Sequence, residues 1–393
     1  MPKANTCPDC GPKSTGHFFR KTSIFFEWLF LPVLRPFEFL GEKFVSVFGL
    51  KNHDLLVNLL LIIRILKEAK IDEEDNLRMR LAAEEAERRG IVMRKLKFFS
   101  RSTVLCVAYF KERRLIFEQL PRPQGYYESL KWLDNKAVIR EKFLKLGMPV
   151  AAGGRAFTLK KALRIFKTIG APVIIKPHIG SRSAHTTIHI NTVTELISAF
   201  RKAKQLSPWV VVEKELSGFV HRITFIGGKL FACLRREQPH VVGDGVSSIR
   251  ELIFKENKNP KRDNTYFYQL PMDEKAEEEI RYHGFTWSSI PQDGQVVLLN
   301  QKAVGYLGSG LTDLTDVIHP ANVEMFEKID KLLATPLHGI DFMTTDISKP
   351  WQTIENCGVI ECNSLPFLEM HHNPLVGQPR DAIGALWDIA FLK

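Results

Sequence analysis

A chain of 393 residues can bury a large core and has the length of roughly two or three domains. Hydrophobic residues at 45% and charged residues at 25% sit near the average for soluble proteins and exclude wholesale disorder. The 55 basic against 44 acidic residues leave a net charge of +11, which favours an anionic partner (nucleotide, acidic peptide, nucleic acid or lipid surface) without choosing among them.

Residues 1–17 read as a disordered tail containing prolines and glycines. Cys7 and Cys10 have the spacing of half a zinc knuckle, but no second pair completes four ligands. The six cysteines, at 7, 10, 106, 233, 357 and 362, are too scattered for a disulfide framework and are read as reduced thiols. No cleavable signal sequence is evident, so a cytoplasmic location is expected.

Residues 18–70 are expected to be helical and are rich in Phe and Leu. Glu27, Arg35, Glu38, Glu42, Lys43 and Asp54, with Pro32 and Pro36, break every apolar run short of the ~20 residues that a membrane span needs. Two readings of residues 18–66 stay open: peripheral contact with a lipid surface or a partner, and a helical hairpin packed on the body of the protein. Residues 71–130 are expected to form a small α/β module, with a helix over 78–90 that stops at Gly90 and strands over 91–99 and 103–110. Pro121 to Gly125 has the composition of a linker.

Residues 131–393 have the texture of one α/β domain. Helices are expected from Lys136 to Leu146, Leu159 to Ile169 and Val193 to Lys204, and strands over 172–177 and from Trp209. Arg222 to Phe225 and Lys229 to Leu234 form a hairpin around Gly227 and Gly228.

Three groups of residues in this region suggest chemistry. Asp341 lies in the apolar run Ile340 to Met343, and Val359-Ile360 leads into Glu361 and Asn363. Side chains alternate along a strand, so Glu361 and Asn363 share a face that Asp341 can join from a neighbouring strand. Two carboxylates and an amide oxygen suit a hard cation such as Mg²⁺.

Lys176 ends a buried strand, and the following loop offers Ser181, Arg182, Ser183, His185 and Thr186 as donors to a polyphosphate. The strand from Val210, ending at Glu213, Lys214 and Leu216, could present its edge to an adenine. Arg222, Arg235 and Arg236 are the cations expected near the reacting centre, although each could equally be solvated.

From about Lys136 onward, these pieces carry a family resemblance. They join Gly147 and Pro149, Val242-Gly243-Asp244-Gly245-Val246 with Asn257 and Arg262, Asp313 to Pro320, Gly339-Ile340-Asp341, and Glu361-Cys362-Asn363 with Pro366 and His371. Together they resemble the ATP-grasp superfamily, and specifically the ATP-grasp domain of cyanophycin synthetases. The fold class that this implies is α/β (α+β), with two α/β lobes clasping ATP, preceded by the small N-terminal module and its helical leader.

The resemblance implies an ATP-dependent carboxylate–amine ligase working through an acyl phosphate, with small-molecule or peptide substrates. It implies Lys136 and Lys176 on the ATP phosphates, Glu213 to Leu216 on adenine, and Asp341, Glu361 and Asn363 on two Mg²⁺ ions, with Mn²⁺ as a substitute. Arg222 with Arg235 or Arg236 would stabilise the oxyanion. A homo-oligomer is compatible with the resemblance.

This sequence departs from the relatives by keeping only Gly180 in the loop after Lys176, with Arg182 and His185 added, and by placing Val220 and His221 where they have an acid. It also ends at Lys393 without a second ligase domain or a P-loop, so a complete two-step cyanophycin synthetase is not expected. The alternative is a non-catalytic nucleotide-binding or membrane-recruited scaffold that keeps the fold. Nucleic-acid binding is not expected, because no aromatic-basic module accompanies the charge.

Overall fold

The computed structural model describes residues 16–18, 21–25, 52–99, 101–123, 133, 136–178, 185–262, 269–301, 303 and 308–392. The expected tail with Cys7 and Cys10, most of the Phe-rich segment, part of the linker, and Arg182 with its neighbouring serines lie outside them. These residues form two compact units, drawn from Met1–Lys142, Ala151–Glu215 and Ile383–Lys393 for the first, and Phe143–Val150 and Leu216–Ala382 for the second. No helix among the described residues is long and apolar enough to cross a membrane.

The first unit opens with helix α1 (Asn52–Ile62), strand β1 (Leu66–Ala69), α2 (Leu77–Arg88), β2 (Val92–Phe98), β3 (Arg101–Phe110) and β4 (Arg113–Glu118). The four strands form an antiparallel sheet in chain order. β1 falls within the segment expected to be helical up to residue 70. A four-residue strand after an apolar helix has too little period of its own to be told apart. Helix α2 starts where Asn76 Oδ1 accepts from the Met79 amide at 3.0 Å, and it buries Met79, Ala82 and Ala86 at helical spacing. Val57 and Leu66 pack with Leu96, Val107 and Ile116 as a core under α1.

The same unit continues with α3 (Lys136–Lys145), β5 (Gly153–Ala156), α4 (Leu159–Ile169), β6 (Val173–Pro177), β7 (Thr187–Ile190), α5 (Val193–Ala203) and β8 (Val210–Lys214). β5, β8, β6 and β7 lie side by side in that order, all antiparallel. Thr158 caps α4, and a Thr192–Glu195 capping box starts α5. Both helices cover the sheet through Ala162, Leu196, Ala199 and Phe200 against Val173, Ile175, Val210 and Val212. Gly153 cannot carry a side chain, since a Cβ there would sit 2.1 Å from the Val212 carbonyl.

The second unit is built on a five-stranded antiparallel sheet. Its strands β9 (Phe219–Ile226), β10 (Lys229–Glu237), β13 (Gly310–Asp313), β14 (Leu337–Thr344) and β15 (Gly358–Asn363) run in the order β13-β10-β9-β14-β15. The β9–β10 turn falls at Gly227 and Gly228, both at positive φ, as the hairpin reading requires. A small ribbon of β11 (His240–Val242) and β12 (Val296–Leu298) packs on α6 (Ile249–Glu256) and α7 (Glu274–Tyr282) around Val241, Ile253, Ile280 and Val297.

Helix α8 (Pro320–Leu333) buries Met325, Phe326 and Ile329, and Phe326 meets Phe342 of β14 edge to face at 5.4 Å. Phe342 thus marks the helix-covered face of the central sheet. Asp341, one residue earlier, projects from the other face.

The last helix, α9 (Ala382–Trp387), leads the chain end back to the first unit. Trp387 Nε1 donates to the Ala82 carbonyl at 3.0 Å, and its ring stands edge-on to Phe117 at 5.7 Å. Arg113 Nη1 donates to the Phe391 carbonyl at 2.7 Å. The end of the chain therefore completes the core of the N-terminal sheet.

Candidate active site

In the second unit, strand register assembles the oxygen donors. Asp341 pairs directly with Glu361 of β15, and Gly339 pairs with Asn363, so all three oxygen-bearing side chains stand on one face. On its other side Asp341 pairs with Arg222 of β9. Arg222 Nε donates to Asp341 Oδ1 at 2.5 Å and Nη2 donates to Oδ2 at 3.2 Å, with each side chain only 4% exposed. Burial works against the charge on Arg222, yet Asp341, Glu361 and Glu369 leave its pKa above the ordinary guanidinium value. Arg236, on the same face, reaches to 3.8 Å from Asp341 Oδ2 and donates through Nη2 to the Ala303 carbonyl.

Gly339 makes room for this pairing. A Cβ there would stand 3.0 Å from Pro366 Cβ and 3.1 Å from Arg222 Cδ. Around it lie Arg222 Nη1, Asn363 Nδ2 and His371 Nδ1, buried atoms with no hydrogen-bond partner among the described residues. The other nitrogen of His371, Nε2, is 2.7 Å from Thr224 Oγ1. Burial, and then the Arg222 charge, lower the His371 pKa to about 3, so the imidazole is neutral near pH 7. His371 and Thr224 belong to this polar cluster. The sequence hinted only at His371, as one more residue of a matching motif.

Arg235 does not join the group. Its register partners His221 and Thr312 place it on the opposite face, as they must when its neighbour Arg236 faces Asp341. There Glu237 Oε1 accepts from Arg235 Nε at 2.8 Å and Nη2 at 2.6 Å, and the guanidinium lies 4.9 Å from the centre of the Phe219 ring. Phe219, Arg235 and Glu237 form one wall of an open cleft of about 770 Å³, faced by His240, Phe285 and Val296. The expectation that all three arginines gather near the acids is corrected to Arg222 and Arg236.

In the first unit, Lys176 and Glu213 come together. Lys176 stands opposite Val211 and Glu213 opposite Ile174, and Lys176 Nζ lies 2.6 Å from Glu213 Oε2, the side chains 8% and 11% exposed. Lys214 is turned away, donating to the Ala171 carbonyl at 2.5 Å. His185 is buried, with Nδ1 2.9 Å from the Lys202 carbonyl oxygen. Leu216 is half-buried. Lys136 begins α3, and its side chain lies outside the described residues.

Among the described residues, no three His, Cys, Asp or Glu side chains cluster as a metal site. The candidate set is instead two acids and an amide, which suits a cation that draws its remaining ligands from water and phosphate. Each Asp341 oxygen that accepts from Arg222 keeps a further lone pair, so the two carboxylates and the Asn363 amide oxygen on the same face offer the oxygen donors that a hard divalent ion takes.

These sheets and helices make up a mixed α/β fold with antiparallel sheets, whose structural neighbours are ATP-grasp proteins. A crystal structure of a bifunctional glutathione synthetase from Pasteurella multocida matches 80% of this chain with a TM-score of 0.62, at 23% identity and over 43% of its own length. In sequence the chain is close to the cyanophycin synthetases. It is 31% identical to that of Trichormus variabilis over 249 residues, 62% of this chain, and 34% identical to that of Synechocystis sp. over 227 residues, 56% of this chain. It spans 28% and 26% of those relatives' lengths. No protein-family model matches the chain.

Proposed function

We propose that the chain is an ATP-dependent ligase that joins a carboxylate to an amine, with amino acids or short peptides as substrates. The observation that carries this reading is the run Glu361, Asp341, Arg222 across three adjacent strands, with Asn363 beside it on the same face. Two carboxylates, an amide oxygen and a guanidinium provide for a metal-bound polyphosphate and for the negative charge that grows as the phosphoryl group moves.

A carboxylate is a poor electrophile and must first be activated. Its oxygen attacks the γ-phosphorus of ATP, the bond from that phosphorus to the β–γ bridging oxygen breaks, and ADP leaves. The amine nitrogen then attacks the acyl carbon of the resulting acyl phosphate, phosphate departs with the electron pair of the C–O bond, and the amine's surplus proton is released. Asp341, Glu361 and Asn363 would hold Mg²⁺, which when bound neutralises phosphate charge. We assign two such ions, replaceable by Mn²⁺. Arg222 orients Asp341, and Arg236, partly exposed and 3.8 Å from Asp341, is assigned to the oxyanion. Lys176, with Lys136, is assigned to the phosphates, and the Glu213 to Leu216 strand end to adenine. We place the reaction in the cytoplasm.

Purified protein supplied with ATP, Mg²⁺ and pools of amino acids and short peptides is expected to release ADP and phosphate only when acid and amine are both present. Absence of turnover across such pools contradicts the reading.

A further inference from the structure

One end of the N-terminal sheet carries uncovered apolar side chains. Leu66 of β1 pairs with Phe98 of β2, and the Phe99 amide donates to the Ile65 carbonyl at 3.0 Å, so the β2–β3 turn lies against the chain leaving α1. Ile62 and Ile63 at the end of α1 are 77% and 52% exposed, and Phe98 and Phe99 at the turn are 46% and 62% exposed. The two phenyl rings meet edge to face at 4.8 Å. Phe99 holds φ at +53°, a left-handed backbone unusual for an aromatic residue. The patch sits at the tip of the β2–β3 hairpin.

Cations surround it. Arg64, Lys67 and Arg101 are exposed and Lys97 half-exposed, and Arg101 pairs with Phe98 across the β2–β3 turn. Lys67 and Lys97 stand directly opposite each other in the β1–β2 register. Like charges so placed repel in water and are relieved by a surface of opposite sign. Projecting aromatic and aliphatic side chains ringed by Lys and Arg match the boundary between acyl chains and anionic headgroups.

We propose that this tip, formed by the end of α1 and the β2–β3 turn, docks the protein on an anionic lipid surface, with Phe98, Phe99, Ile62 and Ile63 entering the interface and Arg64, Lys67, Lys97 and Arg101 lying at headgroup level. This surface is independent of the ligase reading.

The test is co-sedimentation of the full chain with phosphatidylcholine vesicles containing or lacking phosphatidylserine. The wild-type protein is expected to bind the anionic vesicles, to release as salt is raised, and to bind pure phosphatidylcholine at least about tenfold more weakly. Phe98→Ser with Phe99→Ser is expected to weaken anionic binding by about tenfold or more, whereas Phe99→Trp retains it. Lys67→Gln with Lys97→Gln is expected to weaken it and flatten the salt dependence. Thermal unfolding of each variant reports folding separately. Failure to bind anionic vesicles, equal binding to neutral ones, or a Phe99→Trp protein that binds no better than the double serine variant overturns the proposal.

Discussion

Arg222 and Asp341 meet across neighbouring strands through two hydrogen bonds, Nε to Oδ1 at 2.5 Å and Nη2 to Oδ2 at 3.2 Å, with both side chains almost wholly removed from water. An ion pair in such surroundings is held by its geometry, because either partner alone would be a buried charge. Arg222→Met is therefore expected to lower stability by about 3–5 kcal/mol, measured by urea denaturation. Arg222→Met combined with Asp341→Leu should recover a large part of that loss. A single variant as stable as the wild type contradicts the pairing.

Gly339 is the companion of that pair. Gly339→Ala would press a methyl group between Pro366 and Arg222 at 3.0 and 3.1 Å, and is expected to cost about 1–3 kcal/mol. Its effect on turnover should exceed its effect on stability, because the displaced group is Arg222. Thermal unfolding and steady-state ADP release together separate the two.

The shared face of the candidate oxygen donors was legible because period-2 alternation alone puts Glu361 and Asn363 on one face, and a second apolar run with one acid is the natural neighbour. The choice between Arg235 and Arg236 was not. Consecutive strand residues face opposite sides, and which faces Asp341 depends on the pairing of β10 with β9, a non-local property. The docking of Trp387 on Ala82 joins the last helix to α2, 305 residues earlier in the chain, and leaves no periodic mark. Lys176 was recognisable from its place at the end of an apolar strand, whereas its pairing with Glu213 follows from register alone.

Lys176, assigned to the nucleotide phosphates, offers a charge-assisted donor already oriented by Glu213. Lys176→Met is expected to weaken ATP binding by about tenfold or more, measured by calorimetric titration. Unchanged affinity would remove Lys176 from the phosphate-binding set.

Burial holds three histidines neutral. The pKa values of His221 and His338 fall from 6.5 to about 4 and that of His371 to about 3, with burial the leading cause in each. The unfolded chain binds protons at these positions below about pH 6.5 and the folded chain does not, so stability is full above that pH and declines as pH falls toward 4. Each histidine contributes up to about 1.4 kcal/mol per pH unit in that window. Denaturation midpoints between pH 7.5 and pH 5 test this, and His338→Gln should reduce the slope.

The proposed role of Asp341, Glu361 and Asn363 is to hold Mg²⁺ together beside a bound nucleotide. Its most direct measurement is ATP affinity with and without Mg²⁺, in the wild type and in Glu361→Gln combined with Asn363→Ala. The expected result is that Mg²⁺ tightens ATP binding by about tenfold or more in the wild type and has little effect in the variant. Equal magnesium enhancement in both proteins would contradict it.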